Sequence, residues 1–290
     1  MKVKSAKARF GDWIFVLICV LVSLICIIPM LNLAAKSLSD TQYLVRGEVT
    51  IWPKGLNFGA YSTVLSDAKY IRAFVWTVIL TIICTIVSLT MTALCAYPLI
   101  FEGLKGRGFI NVIITITMFF SAGTIPNYLL MKELHLLDNP LVLIIPSCLS
   151  IYNMIIMRSF FYGIPDSLRE SAEIDGASFV TILVKIYLPL SKPVLASLAL
   201  FYAVGRWNGY SDALMYMKNK DFYPLQLLLY NILNNINSVE VAAQEGFSMP
   251  GLGESLKSAI VMFSTVPILL IYPWLQKYFI AGVTMGAVKE

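Results

Sequence analysis

One polar segment, residues 165–193, interrupts a chain that otherwise consists of long apolar runs. Glu170 and Glu173 lie three positions apart, which places both carboxylates on one face of a helix. Gly176 lacks a Cβ and allows a tight bend, and the prolines that follow end one helical piece and begin the next. Paired acids beside small residues and a fixed bend suit insertion into a groove of a partner protein. An amphipathic helix lying on lipid is the alternative, but such helices are usually rich in Lys and Arg.

A second polar cluster, residues 206–212, lies inside an apolar run long enough to cross a bilayer. Ionisable groups are costly there and usually functional, so Arg206, Asn208 and Asp212 need protein or water around them. Aromatic rings beside amides and hydroxyls suit sugars, because sugars have apolar faces and hydroxyl edges. The residues expected to line a solute path are Trp207, Asn208 and Tyr210, with Tyr152 and Asn153 on the preceding run. Alternatively, the amide bonds a neighbouring helix and the indole is simply packed.

The chain offers few other groups for chemistry. Its five cysteines all lie in apolar runs without a Cys-x-x-Cys pair, so we expect small side chains buried in the membrane and neither a disulfide framework nor a metal site. The single histidine, His135, cannot form a metal site alone. The sequence contains no Gly-x-x-x-x-Gly-Lys loop for phosphate. We therefore expect a protein that is not an enzyme, does not bind ATP by itself and holds no cofactor.

Composition indicates a membrane protein. Of the 290 residues, 58% are hydrophobic and only 13% are charged. A soluble domain carries roughly a quarter charged residues, so these charges are too few to cover a soluble surface of this size. The net charge of +5 matters less than the position of the positive residues along the chain.

The apolar pattern predicts an all-α membrane protein with six transmembrane helices. The predicted division is an N-terminal segment at 1–12, a first span at 13–35, an outer loop at 36–72, a core with five further spans at 73–279 and a tail at 280–290. The spans of the core are expected at 73–98, 109–131, 140–161, 194–216 and 255–275. The polar segment 165–193 lies between the fourth and fifth spans, and a second outer loop covers 217–254.

The distribution of basic residues predicts the orientation. Four of them (Lys2, Lys4, Lys7 and Arg9) precede the first span with no acid between them. The positive-inside rule therefore places both termini and the segment 165–193 in the cytoplasm of a multi-pass plasma membrane protein. The outer loops also carry lysines, so the first span is the strongest indicator. That span is too long for the apolar region of a secretory signal and lacks a cleavage site.

The polar segment carries a family resemblance. Glu170-Ser171-Ala172-x-x-Asp175-Gly176-Ala177, followed by Ile186-x-Leu188-Pro189 and Pro193, resembles the EAA loop of permease subunits of ABC importers. Similar pieces of the maltose-type sugar permeases are Ser121–Pro126 with Tyr128, Arg158–Phe161 before Ile164-Pro165, Trp207-Asn208, Pro224–Gln226 and Gly282–Lys289. They extend from about residue 70 to the end, and the pattern is closest to Gram-positive permeases for oligosaccharides and polysaccharide fragments. Ser171 replaces the usual second alanine, and Leu183 stands where phenylalanine is common.

The resemblance implies a type I ABC importer permease fold with a cytoplasmic coupling helix. In this family the loop inserts into a cleft of an ATPase subunit and moves as a lever when the ATPase dimer closes on ATP. Glu170 would then face a basic group on the ATPase, and Gly176 would allow the bend. The residues expected to couple to the ATPase are Glu170, Ala172, Asp175, Gly176, Ala177, Leu188 and Pro189.

The implied partners are a second permease subunit, two ATP-binding subunits that carry ATP and Mg, an extracellular solute-binding lipoprotein and the bilayer, with no nucleic acid. The outer loops would meet the solute-binding protein, with Asn234, Asn235 and Asn237 as the expected contacts. A solvated loop is the alternative for this Asn-rich stretch.

The sequence is also compatible with three other functions. An ABC permease for amino acids or peptides would share the coupling loop. An ion-coupled secondary transporter normally needs ionisable groups at the centres of its spans, and the first, second, third and sixth predicted spans have none. A membrane scaffold is a further alternative.

Overall fold

The computed structural model describes the backbone of residues 6–243 and 250–287, and the side chains of residues 12–234, 253–271 and 273. Within these residues the chain is helical and forms no strand, apart from an isolated antiparallel bridge between Ser39 and Leu56. It divides into two compact units, one of residues 1–70 with 229–266 and one of residues 71–228 with 267–290. The fold class predicted from the apolar pattern is therefore confirmed as all-α.

The helices follow one another along the whole described chain. In the first half they are α1 (Ala6–Ser37), α2 (Thr41–Val45), α3 (Gly59–Ser66), α4 (Ala68–Ala96), α5 (Arg107–Phe119), α6 (Thr124–Glu133) and α7 (Ile151–Tyr162). In the second half they are α8 (Asp166–Ile174), α9 (Phe179–Ile182), α10 (Leu188–Leu190), α11 (Lys192–Asn208), α12 (Ser211–Tyr216), α13 (Leu225–Ala243) and α14 (Pro250–Ala287). Short 3-10 turns span Pro98–Ile100, Pro140–Leu143 and Lys220–Phe222, and a π-helical turn spans Leu183–Tyr187.

Three of the described helices are long and apolar enough to cross a membrane: Asp12–Ser37, Ala68–Ile100 and Gly253–Ile271. They coincide with the predicted first, second and sixth spans. Apolar side chains such as Phe15 and Ile25 on α1 are 68% and 69% exposed. In water such a surface would be an extended apolar patch, so it is suited to lipid or to another membrane chain.

Two bent helix pairs are further candidate spans. Arg107–Phe119 and Thr124–Glu133 meet at 115°, and Phe179–Leu190 and Lys192–Asn208 meet at 84°. Counting each bent pair as one span raises the number of candidate spans from three to five. Gly123 stands directly before α6 and has φ +88°, a backbone conformation that residues other than glycine rarely adopt. The predicted straight helix at 109–131 is therefore interrupted.

The predicted fourth span, 140–161, is wrong as a continuous helix. A 3-10 turn over Pro140–Leu143 is followed by a non-helical segment, and α7 has only 12 residues. At 1.5 Å per residue, α7 is too short to cross the hydrocarbon core alone. Pro146 lacks an N–H, and Ser150 caps the new helix by accepting a bond from the Asn153 N–H. An apolar run does not by itself reveal such a break.

The predicted outer loops contain much helix. Residues 36–72 hold α2 and α3 as well as the start of α4. Within the described part of the stretch 217–254, Leu225–Ala243 form α13 and residues from Pro250 onward begin α14. The side chains of Leu225, Leu227 and Leu228 on α13 are buried. Their apolar spacing outweighs the turn tendency of the asparagines that follow.

A buried cluster forms the core of the second unit. It contains Ala96, Tyr97, Leu99, Met154, Met157, Phe161, Ile164, Ile182, Leu183, Tyr187, Val194 and Leu198. These residues come from the end of α4, from α7, from the end of the segment 165–193 and from the start of α11. The polar segment therefore packs on the same core as α4, α7 and α11.

Candidate functional site

The segment 165–193 has the predicted order of helix, bend, second helix and restart. Pro165 stands at the N-cap of α8, and Asp166 is the first helical residue. Asp166 makes no capping bond at the N-cap and instead pairs with Arg169 three residues later. The N-cap of α9 is Ser178, whose hydroxyl accepts a hydrogen bond from the Thr181 N–H. Local sequence signals thus explain both helix starts.

The bend after α8 is a Schellman motif. Gly176 has φ +78°, its N–H donates to the Glu173 carbonyl, and the Ala177 N–H donates to the Ala172 carbonyl. These are the two bonds that close a helix whose next residue is left-handed. A Cβ on Gly176 would meet nothing within 4 Å, so glycine is required by the backbone angle and not by crowding. Ala172 and Ala177 are the pair whose contact usually accompanies this motif.

The two long faces of α8 differ. Arg169 forms ion pairs with Asp166 and Glu173 at 3.4 and 3.2 Å, and its guanidinium lies 5.3 Å from the ring centroid of Phe101. The pKa of Arg169 lies above its ordinary value. Partial burial acts to lower this pKa, but the nearby charges of Glu173 and Asp166 raise it by more. Glu170 is exposed next to Glu173 and lines the same open cavity as Arg169, and farther round the helix Ile174 is 87% exposed. The exposed side chains of Glu170 and Ile174 form the free face of α8, which is available to another protein.

The other predicted coupling residues differ in exposure. Asp175 and Pro189 are exposed, whereas Leu188, Ala172 and Ala177 are partly buried against the core of this chain. Only part of each alanine surface is therefore left for a partner. An open cavity of about 950 Å³ lies beside the segment and is lined by Glu102, Asp166, Arg169, Glu170 and Glu173 together with aromatic side chains.

Arg206 organises the second polar cluster. Its Nη1 donates to the Leu143 carbonyl at 3.1 Å and to the Asp212 carboxylate at 2.5 Å, and its Nη2 donates to Asp212 at 3.0 Å. Nη2 also donates to the Gly209 carbonyl at 3.3 Å. A bidentate pair of this kind fixes orientation as well as charge. Through these bonds Arg206 joins the end of α11 to α12 and to the 3-10 turn Pro140–Leu143.

The predicted path residues are only partly brought together. Asn208 and Tyr210 are exposed at the break between α11 and α12. Trp207 is only 8% exposed, and its ring packs edge-to-face on Phe74 with centroids 5.9 Å apart. It also lines a small apolar cavity of about 80 Å³. Its indole is therefore mainly a packing element of this chain.

The candidates on α7 also differ from each other. Tyr152 is 58% exposed, whereas Asn153 is 6% exposed. Both open α7 directly after the non-helical segment. Tyr152 is thus the more accessible of the two.

The three asparagines expected to meet a binding protein lie on α13 and not in a loop. Asn234 is exposed. The side chains of Asn235 and Asn237 lie outside the described residues.

The structure also shows functional candidates that sequence reasoning missed. Tyr97 and Phe101, at the end of α4 and in the turn after it, contact the segment 165–193 through aromatic rings. The only available signal was the aromatic pair beside a Gly-rich turn, which does not reveal a partner distant in sequence. Among the described residues no cluster of three or more His, Cys, Asp or Glu side chains could hold a metal ion, and the five cysteines are free.

A family model for the inner membrane component of binding-protein-dependent transport systems matches residues 5–285. The chain is 35% identical over 284 residues to the polygalacturonan/rhamnogalacturonan transport system permease protein YtcP of Bacillus subtilis (strain 168), over 98% of this chain and 99% of the relative. It is 38% identical over 270 residues to Protein LplC of the same organism, over 92% and 91% of the two chains. Both similarities run along nearly the whole sequence.

Two solved structures are also similar. One is a chain of a bacterial ABC transporter involved in the import of the acidic polysaccharide alginate, with a TM-score of 0.86 and 32% identity over 96% of this chain and 100% of that one. The other is a chain of a bacterial alginate ABC transporter in complex with an alginate pentasaccharide-bound periplasmic protein, with a TM-score of 0.64 and 16% identity over 93% and 94%. At that identity the second likeness concerns the fold alone.

Proposed function

Since the chain belongs to the family of inner membrane components of binding-protein-dependent transport systems, we propose that it is the transmembrane permease subunit of an ATP-driven ABC importer for sugars. The observation that carries the proposal is full-length similarity, at a TM-score of 0.86 and 32% identity, to a subunit of an importer of an acidic polysaccharide. The relative named for polygalacturonan and rhamnogalacturonan transport supports the same class. The substrate is therefore an oligosaccharide or a polysaccharide fragment.

The importer needs further subunits. A second permease chain completes the membrane unit, two ATPase subunits bind ATP and Mg on the cytoplasmic side, and an extracellular solute-binding lipoprotein delivers the sugar. Both termini of this chain lie in the cytoplasm. We count six spans by taking each bent helix pair as one and the interrupted stretch 140–161 as another. Non-helical backbone at membrane depth is acceptable where it faces protein or a water-filled path.

The free face of α8 is the docking face in this proposal. Glu170 is exposed there, and Asp175, Gly176 and Pro189 are exposed along the same segment. A basic group of the ATPase pairs with Glu170, and the Schellman bend holds the two short helices at a fixed angle. The rigid restart of α11 after Ser191 then passes the displacement of the lever into the membrane.

The solute path passes the helix breaks. Asn208, Tyr210 and Tyr152 are exposed beside interrupted backbone, which is where membrane transporters bind substrates between half-helices. Arg206 holds two of these breaks together through Leu143 and Asp212. The Asp212 carboxylate neutralises the guanidinium of Arg206. Arg206 therefore holds the helix ends beside the path in place, and the neutral side chains make the contacts with the sugar. Asn234, Asn235 and Asn237 on α13 meet the solute-binding protein.

A substitution tests the path. Asn208→Ala should raise the KM for sugar uptake about fivefold, because one hydrogen bond of about 1 kcal/mol is lost, while the Tm of the purified complex stays unchanged. Trp207→Ala should instead lower the Tm, because it empties a buried site. Uptake kinetics are measured in proteoliposomes and Tm by size-exclusion chromatography of heated samples. Unchanged kinetics for Asn208→Ala would remove this residue from the path.

The substrate class is tested by reconstitution. The four-subunit complex in proteoliposomes should accumulate labelled oligosaccharide when its binding protein is outside and ATP is inside, and it should ignore labelled amino acids and peptides. Uptake of amino acids with no uptake of any oligosaccharide would assign the chain to another branch of the importers.

A further inference from the structure

Five aromatic rings pack together where the segment 165–193 meets the rest of its unit. This aromatic cluster consists of Tyr97, Phe101, Phe161, Phe179 and Tyr187. The ring centroids of Tyr97 lie 5.0 Å from Phe101 and 5.1 Å from Tyr187, and those of Phe101 and Phe179 lie 5.6 Å apart. Phe161 lies 5.3 Å from Tyr187. All of these pairs have the edge-to-face geometry that is favourable for aromatic side chains.

The rings belong to different parts of the chain. Tyr97 follows the last residue of α4, Phe101 lies in the turn after it, and Phe161 lies on α7. Phe179 and Tyr187 belong to the second half of the polar segment. Tyr97, Phe161 and Tyr187 are 5%, 1% and 1% exposed. Because close-packed interiors transmit displacement, the elements that carry these three buried rings cannot slide past one another without opening their contacts.

The first half of the segment contacts the turn that contains Phe101 through the charged side chain of Arg169. The guanidinium of Arg169 on α8 lies over the ring of Phe101 at 5.3 Å. Asp166 and Glu173 hold that guanidinium in place from the same helix. The open cavity of about 950 Å³ lies on this side, so α8 is not packed broadly against the turn. A few side chains therefore carry the attachment.

A hydrogen-bond chain joins the turn to α7. The hydroxyl of Tyr162 donates to the Leu99 carbonyl at 3.1 Å and accepts from Nη2 of Arg107 at 2.6 Å. The turn over residues 98–104 is thus connected to both α8 and α7, although its only direct covalent connections are to α4 and α5.

We infer that residues 98–104 form a second entry point for the motion of the coupling segment, with Arg169 and Phe101 as the positioning residues that connect α8 to α4. This inference rests on the proposed function. The covalent connections of the segment lead to α7 on one side and to α11 on the other. Through Arg169, Phe101 and the aromatic cluster, the same displacement also reaches α4, to which the segment has no direct covalent connection.

Uncoupling variants test the inference. Phe101→Leu and Arg169→Gln should keep the ATPase bound at wild-type stoichiometry but lower the sugar imported per ATP hydrolysed about fivefold, the size expected for loss of a contact of this kind. Arg169→Lys should restore part of the ratio because it keeps the cation. Phe109→Leu is the matched control, since the Phe109 side chain is 72% exposed.

The distance between two spin labels, one on α8 and one in the turn 98–104, measures directly whether α8 and the turn move together. Leu168→Cys and Gly103→Cys accept spin labels, because Leu168 is 43% exposed on α8 away from Glu170 and Ile174, and a Cβ at Gly103 meets nothing within 4 Å. The labels are placed in a chain whose five natural cysteines are replaced by alanine. The distance between them should stay constant when ATP is added, and it should change by several ångströms in the Phe101→Leu background.

The outcomes separate the inference from the proposed function. If the wild-type complex imports no sugar, the proposed function fails. If it imports sugar and both variants keep the wild-type ratio, or if the two labels move apart in the wild type on ATP addition, the second entry point is wrong. Loss of the ATPase from the variants would make Arg169 and Phe101 docking residues and would also overturn the inference.

Discussion

Replacing Glu170 by lysine together with Gly176 by proline should release the ATPase subunits from the purified complex while the permease chain stays in the membrane. Glu170 is exposed on the free face of α8, so reversing its charge puts two cations together at the docking site. Removing one partner of an interfacial charge pair costs about 2–5 kcal/mol of binding free energy. Proline cannot adopt the φ of +78° at Gly176, so the bend that orients the two short helices is lost as well.

The measurement is the ratio of ATPase to permease after affinity purification. Glu133→Lys is the matched control, because Glu133 is an exposed acid at the end of α6. Gly176→Ala alone should weaken binding less, by roughly 1 kcal/mol, since it strains the backbone without a clash. A wild-type ratio in the double variant would show that the segment 165–193 is not the docking element.

Breaking the pair of Arg206 and Asp212 should cost the most stability of any single polar substitution considered for this chain. Asp212→Asn leaves a guanidinium that is 6% exposed without its carboxylate. Breaking a buried pair from one side costs about 3–5 kcal/mol, and the partial exposure of Asp212 places this case at the lower end. The Tm of the purified chain should fall by roughly 5–10 °C, with uptake lost because the break after α11 is no longer held.

A double variant and a surface pair control this prediction. Arg206→Met with Asp212→Leu should recover much of the Tm, because no buried charge is left alone, but it should not recover uptake if Arg206 positions the path. Arg72→Gln removes a pair with Asp221 whose side chains are about half exposed, so it should change stability by about 1 kcal/mol or less. An unchanged Tm for Asp212→Asn would contradict the structural role of the pair.

The features that could be predicted from sequence are those with local causes. The helix, bend and restart of the segment 165–193 follow from Gly176, the cap at Ser178 and the two prolines, all of which act within a few residues. The predicted first, second and sixth spans each correspond to one long apolar helix, so length and hydropathy suffice to find them.

The breaks were harder to predict because hydropathy does not distinguish a straight span from an interrupted one. Gly123 and Pro146 mark the interruptions, but glycine and proline also occur inside continuous membrane helices. The asparagines near residue 234 suggested a loop, while the leucines that start α13 determine the backbone there.

The contacts that organise the candidate site could not be predicted, since they join residues far apart in sequence. Arg206 was recognised as costly, but its bond to Leu143 spans 63 positions. The aromatic cluster has no periodic signature. Trp207 illustrates the reverse case, because its ring has the chemistry of a sugar contact and yet lies packed on Phe74.

ATP-driven import is tested most directly by sugar uptake in the reconstituted complex when the catalytic glutamate of its ATPase is replaced by glutamine. The chain moves only through its partner in this account, so ATP should still bind and the complex should stay intact, while accumulation of labelled oligosaccharide falls to the level of empty vesicles. Uptake that continues at the wild-type rate without ATP hydrolysis, or that follows an ion gradient instead, would contradict the account.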